Sequence, residues 1–387
     1  MRIGIYTSIV ASEPGYERNV SAHIQIPLHS ARLLREAGHD VHLISNQYPE
    51  GKTLPACLDR ELKLHLVTDS RKRQAKLRGG AARHGIRPLA LFRQLSQIKR
   101  IAREQRLELL HVFGFDRSAQ LAGLLKAFGL KIPSVVTLIG DNIARPHAPL
   151  SRWLLARNDA YLSATRTVIE AAKNHGFEVQ HVSHGAVRQL TDERTGAEGV
   201  SKNRVLFWRD PSPTNGADLC LRVFETLAPE FPAIDFDFAV RRFWNEIDGL
   251  DEAASKHENI HVHRFPYPEG ITLPDLVLGS MMVVMPFREL SIQPQLAILE
   301  SLAAGVPVLT SDLKSNRELI QEGINGALLA EDEQPYIDTI RRLLVDSELC
   351  QKMGENAARS VQSHWNWDRY VDDLVDVYKG LTPKDAR

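Results

Sequence analysis

Apolar residues in the first half of the chain gather into short runs separated by amphipathic stretches. Arg2–Thr7 is one such run and predicts a strand. A loop through Gly15 follows, then a helix over Ala22–Ala37 that Gly38 stops, then a strand over Val41–Ser45. Leu109–Phe113, Ser134–Ile139 and Ala160–Ser163 predict further strands, with helical spacing between them. Regular alternation of this kind makes a parallel sheet covered on both faces, with ligands at the carboxyl ends of its strands. The loop around Gly15 and the turn Gly140-Asp141-Asn142 fall at those ends.

Near Arg188–Asn203 the periodicity lapses into QLTDERTGAEGVSKN, polar throughout, which predicts a linker. A second series of strands is then expected at Arg204–Trp208, Asp235–Val240, Ile260–His263, Val277–Met285 and Val306–Thr310. The tail carries Trp367, Tyr370, Leu374 and Tyr378 at helical spacing, as a closing helix would. The expectation is an α/β protein of two Rossmann-like, doubly wound domains facing a cleft. Residues 1–187 form the first, 188–203 the linker and 204–365 the second, with 366–387 as a helix crossing back to the first.

Composition narrows the class. The 387 residues suffice for two cores, and 43% hydrophobic with 25% charged residues is ordinary for a soluble globular protein. Lys+Arg and Asp+Glu both number 48, so global charge gives no reason to expect nucleic acid. Cys57, Cys220 and Cys350 are far apart and outside metal-ligand spacing, which fits a reducing compartment. The start MRIGIYTSIV is too short and too weakly apolar for a signal peptide, and no apolar run approaches a membrane span. The expected location is cytoplasmic, with peripheral contact at the inner face of the plasma membrane left open.

That opening comes from local charge. Residues 71–106 hold twelve basic side chains, beginning Arg71, Lys72, Arg73, Lys76 and Arg78, against the single acid Glu104. Leu89, Leu91, Phe92, Leu95, Ile98 and Ile101 recur there at near-helical spacing. A basic helix with an apolar face favours an anionic membrane or lipid phosphate over the alternative of a helix packed on its own sheet with a solvated outer face.

The most informative stretch is Met281–Asp312, MMVVMPFRELSIQPQLAILESLAAGVPVLTSD. It predicts a strand, a loop and a helix whose Glu300 sits among Leu296, Ile298, Leu299 and Leu302. Burying a carboxylate there is costly unless it has a hydrogen-bonding partner. The loop delivers a helix N-terminus, which suits an anion. A phosphate at that N-terminus and a polyol one turn further along, the two ends of a nucleotide diphosphate, would satisfy both features. His181, His184, His261 and His263 gain no carboxylate or cysteine that would complete a metal set in sequence.

In order along the chain, GYERNVSAHIQIPLHSARLLREAGHDVHLIS, LELLHVFGF, SVVTLIGD, VLFWRDPSPTNGADLCLRVFE, LESLAAGVPVLTSD and EGINGALL resemble the retaining GT-B glycosyltransferases. The resemblance is to the large family-four group that builds bacterial polysaccharides and glycolipids, and it spans nearly the whole chain. It implies that Glu300 binds the nucleotide ribose and that Arg209 holds the diphosphate, a task suited to a planar guanidinium. Three positions depart from the family. Its second diphosphate cation is here Asn215, its sugar-contacting glutamate is Ile292, and its inner-strand histidine is Ile139. Asp141 is the nearest polar candidate at the last of these, and Glu289 lies near the second. Gly140, Asn142, Ser291, Gln293, Pro294, Gln295 and Leu296 complete the implied substrate contacts.

The activity implied is metal-independent, cofactor-free transfer of a sugar, of hexosyl type, from a nucleoside diphosphate sugar to a glycan or lipid-linked acceptor, as in bacterial envelope polysaccharide or lipopolysaccharide synthesis. Arg209, the N-terminal amides of the Gln295–Ser301 helix and the backbone near Gly15 would stabilise the departing diphosphate. The three departures keep an alternative open: a catalytically degenerate glycosyltransferase-like protein that binds a nucleotide or glycan. A dinucleotide-dependent oxidoreductase is disfavoured, because no G-x-G-x-x-G follows the first strand.

Overall fold

The computed structural model describes residues 1–18, 20–72, 85–140, 148–186, 202–241, 245–290 and 292–382, with the side chains of Lys72 and Asp116 excepted. Arg73, Lys76, Arg78, Asp141, Asn142 and Ser291 lie outside the described residues, as does the predicted linker apart from Lys202 and Asn203. The chain divides into two compact units. One is Met1–His184 with Asp368–Arg387, and the other is Gly185–Trp367.

The first unit begins with β1 (Arg2–Thr7), α1 (Ala22–Glu36), β2 (Asp40–Asn46) and β3 (Lys63–Val67). A small antiparallel ladder, β4 (Arg71–Lys72) with β5 (Gly85–Ile86), precedes α2 (Pro88–Glu104). Then come β6 (Leu109–Gly114), α3 (Asp116–Ala127), β7 (Ser134–Leu138), α4 (Pro149–Leu155), β8 (Ala160–Ser163), α5 (Arg166–Lys173) and β9 (Gln180–His181). The sheet runs β3-β2-β1-β6-β7-β8-β9, parallel at every pairing. β6 and β7 are buried along their whole length, which is why they read in sequence as continuous apolar runs. Leu95, Ile98 and Ile101 of α2 join Val112, Val136 and Leu155 in the core. β3 escaped the sequence reading because KLHLV is mostly half-buried or exposed and alternates weakly.

The second unit contains β10 (Arg204–Phe207), a 3-10 turn at Pro213–Asn215, α6 (Ala217–Leu227), β11 (Asp235–Arg241), α7 (Leu250–Lys256) and β12 (Ile260–Phe265). It continues with α8 (Leu273–Leu278), β13 (Ser280–Met285), α9 (Leu296–Ala303), β14 (Val308–Ser311), β15 (Gly326–Leu329), α10 (Glu333–Val345) and α11 (Ser347–His364). Its six-stranded sheet is ordered β12-β11-β10-β13-β14-β15, again parallel. The expected strand Val277–Met285 is corrected at its start. Thr272 accepts from the Asp275 N–H at 3.2 Å and caps α8, so Val277 and Leu278 are helical and β13 begins at Ser280.

The closing helix α12 (Trp367–Leu381) belongs from Asp368 onward to the first unit. Its buried tyrosines dock by polar contacts. Tyr370 Oη lies 3.0 Å from Ser30 Oγ, and Tyr378 Oη lies 2.5 Å from His111 Nδ1. His111 Nε2 is 2.7 Å from Thr137 Oγ1, and burial pushes that imidazole down to about 3, so it is a neutral core histidine. Among the described residues no helix is long and apolar enough to cross a membrane.

Candidate functional site

Two loops at the carboxyl ends of adjacent parallel strands build the candidate site in the second unit. After β10 the chain runs Trp208-Arg209-Asp210, and after β13 it runs through Phe287 and Arg288 to α9. The Trp208 indole N–H donates to Ser301 Oγ at 3.0 Å, and Ser301 donates to the Ala297 carbonyl at 2.8 Å. This bond pins the end of β10 to α9 and fixes Arg209 within the electrostatic reach of Glu300. Sequence reasoning passed over Trp208 and Ser301. Their only signal was adjacency to the two charged residues.

Glu300 is 8% exposed and sits on a helix buried along its length. Burial pushes its carboxyl up to about 8, and the Arg209 guanidinium opposes that rise. Among the described residues Glu300 has neither a side-chain hydrogen bond nor a salt bridge. Arg209 mirrors it. Burial lowers its pKa, Asp210 partly counters that, its Nε is buried without a hydrogen-bond partner among the described residues, and its guanidinium carbon stands 6.0 Å from the Phe287 ring centroid. A carboxyl and a guanidinium are thus withdrawn from water and not bonded to each other.

The helix between them offers the rest. Leu299 and Ile298 N–H donate to the Gln295 carbonyl at 3.2 and 3.1 Å, while among the described residues no side chain caps the first turn of α9. The helix starts at Leu296 rather than Gln295, whose side chain turns back to donate to the Ile292 carbonyl at 2.8 Å. Pro294 and Leu296 are buried beside it. Gln293 is 6% exposed, with its Oε1 buried and unpartnered among the described residues. Glu289 is exposed. Asn215, at the implied cation position, donates its amide to the Asp210 carbonyl at 2.9 Å and so serves the loop that carries Arg209. Gly216 has φ +75°, and a Cβ there would meet the Pro286 carbonyl oxygen at 1.9 Å. Only glycine fits.

In the first unit, Gly140 is buried and follows the buried Ile139, whereas Gly15 is exposed at φ +82° with its N–H donating to Glu17 at 3.1 Å. The basic segment divides. Arg71 is held by Asp69 through Nε and Nη2, both at 2.9 Å, and also donates to the Ser8 carbonyl at 3.2 Å. It is a structural cation. Leu95, Ile98 and Ile101 face the core, while Leu89 and Phe92 are 81% and 62% exposed. The histidines also resolve. His261 and His263 meet Asp235 and Asp237 of the neighbouring strand, each at 3.3 Å, partners that spacing along one strand could not reveal. No group of three or more His, Cys, Asp or Glu that could hold a metal occurs among the described residues.

Comparisons with known proteins follow the two units. The family model described as "Glycosyl transferases group 1" matches residues 191–360, and the "Glycosyl transferase 4-like domain" matches residues 25–182. The chain is 25% identical over 283 residues to spore coat protein SA of Bacillus subtilis, covering 69% of this chain and 70% of that protein. It is 30% identical over 104 residues to the N-acetyl-alpha-D-glucosaminyl L-malate synthase of Bacillus anthracis, a match covering 27% of this chain and 26% of the synthase. Among solved structures, the sucrose-phosphate synthase of Thermosynechococcus elongatus superposes with TM-score 0.69 at 13% identity, over 98% of this chain and 99% of that one. Anabaena HepE in complex with UDP-glucose superposes with TM-score 0.68 at 14% identity, over 98% and 100%. At these identities the structural likeness speaks for the GT-B fold.

Proposed function

The chain belongs to the family-four type of GT-B glycosyltransferases, and we propose that it moves a sugar from a UDP- or GDP-linked donor to a hydroxyl of a glycan or lipid-linked acceptor with retention at the anomeric carbon. One observation carries this reading. Glu300 and Arg209 are buried within each other's field and, among the described residues, form no salt bridge with each other or with another side chain, the arrangement a ribose hydroxyl on one side and a diphosphate on the other would satisfy. HepE, whose fold this chain shares, was solved with UDP-glucose, which supports a sugar nucleotide as the donor.

The chemistry asks chiefly for stabilisation of negative charge on the departing diphosphate. Arg209 would take two phosphate oxygens in its planar fork, and the uncapped first turn of α9 would add N–H donors and a favourable dipole. Glu300 would accept hydrogen bonds from the ribose, and bonding to its charged form would pull its pKa down on binding. The carbon–oxygen bond to the leaving phosphate breaks as the acceptor oxygen approaches from the same face, and a phosphate oxygen takes the acceptor proton. No protein nucleophile is needed.

Gln293, Gln295 and Glu289 are the groups nearest in sequence to where the sugar would lie. The acceptor is assigned to the first unit, through Gly140, Asn142 and the segment 71–106. The exposed Leu89 and Phe92 beside that basic segment support an anionic membrane as the place where a lipid-linked acceptor is met. A thermal-shift screen of UDP, GDP, ADP, TDP and their sugars tests the donor, since a ligand of the native state raises the melting point by mass action. A donor-hydrolysis assay then separates a transferase from a protein that only binds.

A further inference from the structure

We propose that Arg288 is a positioning residue for the diphosphate, clamping the two loops of the site into one rigid frame. The inference rests on the proposed function of that site. Arg288 lies in the loop that leads from β13 to α9. Its Nη1 donates to the Pro213 carbonyl at 2.6 Å and to Asp218 Oδ1, its Nη2 donates to Asp218 Oδ2 at 2.9 Å, and its Nε donates to Glu331. The backbone repeats the connection. The N–H groups of Arg288 and Glu289 donate to the Thr214 carbonyl at 3.0 and 3.3 Å.

Pro213 and Thr214 belong to the turn that follows Arg209. Asn215 in that turn bonds the Asp210 carbonyl, and Gly216 touches the Pro286 carbonyl. A side chain seated in this way fixes the loop bearing Arg209 against the loop that sets the start of α9. The diphosphate would be gripped by Arg209 from one loop and by the first turn of α9 that the other loop sets, so their separation decides the strength of the grip.

Arg288 does not itself supply the charge missing at Asn215. The bonds to Asp218 and Glu331 hold its pKa above the usual arginine value. Around it two guanidinium groups, Arg288 and Arg222, face three carboxylates, Asp218, Glu331 and Glu333. Four of its five N–H donors are committed, and the cluster carries no surplus positive charge for a phosphate. It acts through Arg209 and α9. An ordinary surface ion pair would do none of this, and Arg341 with Glu230, bonded at 2.9 Å through both nitrogens, supplies that control in the same unit.

The test is isothermal titration of full-length protein with UDP and with uridine, or with GDP and guanosine if the thermal screen selects GDP. For Arg288→Ala the expected result is about tenfold weaker binding of the diphosphate with nucleoside binding unchanged, while Arg288→Lys falls between and Arg341→Ala matches the native protein. Equal losses for diphosphate and nucleoside, or no loss for either, overturn the proposal. Should Arg288→Ala fail to fold, Arg288→Lys and Glu331→Gln take its place, and the absence of a selective diphosphate loss in both overturns it equally. Failure of the native protein to bind any nucleotide would instead remove the functional reading beneath it.

Discussion

One arginine opens β10 and another stands two residues past its end, and the two meet buried carboxylates in opposite ways. At its start, Arg204 Nε lies 2.7 Å from Asp237 Oδ2, and His263 Nε2 approaches the same oxygen at 3.3 Å. Neither approach has the angle of a good hydrogen bond, yet the charge is compensated on the spot. Past its other end, Arg209 and Glu300 feel each other's field without joining. Asp237 is fully buried and Glu300 nearly so. Burial therefore does not distinguish them. What differs is whether the protein supplies the counter-charge itself or leaves the pair to be bridged by something with a hydroxyl at one end and an anion at the other. The first pair is architecture, and the second is the candidate site.

The contrast breaks most visibly in stability. Arg204→Ala strands Asp237 and should cost about 3–5 kcal/mol in urea denaturation, whereas replacing both partners with apolar residues should cost much less. A single substitution as mild as the double one would mean the pair does not hold the sheet. Next in size, Arg209→Ala or Glu300→Ala should reduce transfer by about two to three orders of magnitude, roughly 2.7–4 kcal/mol of transition-state stabilisation. Both variants should keep the native melting point to within a few degrees. Native turnover in either would take that residue out of the site.

A gentler probe is pH. Burial pushes the Glu300 carboxyl up to about 8, above the 4.5 of a solvated glutamate. The native state then holds a proton that the unfolded chain has lost. Its contribution is therefore full at low pH and declines as pH rises through this window, by about 1.4 kcal/mol per unit. Subtracting the profile of Glu300→Gln should isolate that slope, and parallel profiles would contradict the burial argument. The smallest effect per residue belongs to the basic segment. Neutralising Lys72, Arg73, Lys76 and Arg78, with Arg71 left on Asp69, should weaken binding to anionic vesicles by roughly 1 kcal/mol each. Salt-insensitive binding of unchanged strength would dispose of the membrane reading.

The sequence disclosed the alternating strands and helices well because both sheets are parallel and buried on both faces, so strands such as β6 and β13 stand out as apolar runs. It blurred the join of α8 and β13, where an apolar run continues across a helix end and only the Thr272 cap marks the change. Glu300 was legible because a lone acid on an apolar helix is conspicuous. Arg209 needed the family resemblance. Arg288 was invisible, since a surface arginine in a loop looks the same whether it is solvated or fastened to Asp218, Glu331 and the Pro213 carbonyl. The basic segment misled in part, because periodicity could not separate Leu95, Ile98 and Ile101, which face the core, from Leu89 and Phe92, which do not.

The central claim is that Glu300 receives the ribose while Arg209 receives the diphosphate. It is tested most directly by titrating the native protein and Glu300→Gln with the responsive nucleoside diphosphate and with its 2′,3′-dideoxy analogue. Removing the hydroxyls should cost the native protein about tenfold or more in affinity and the variant almost nothing. The same loss in both proteins would contradict it.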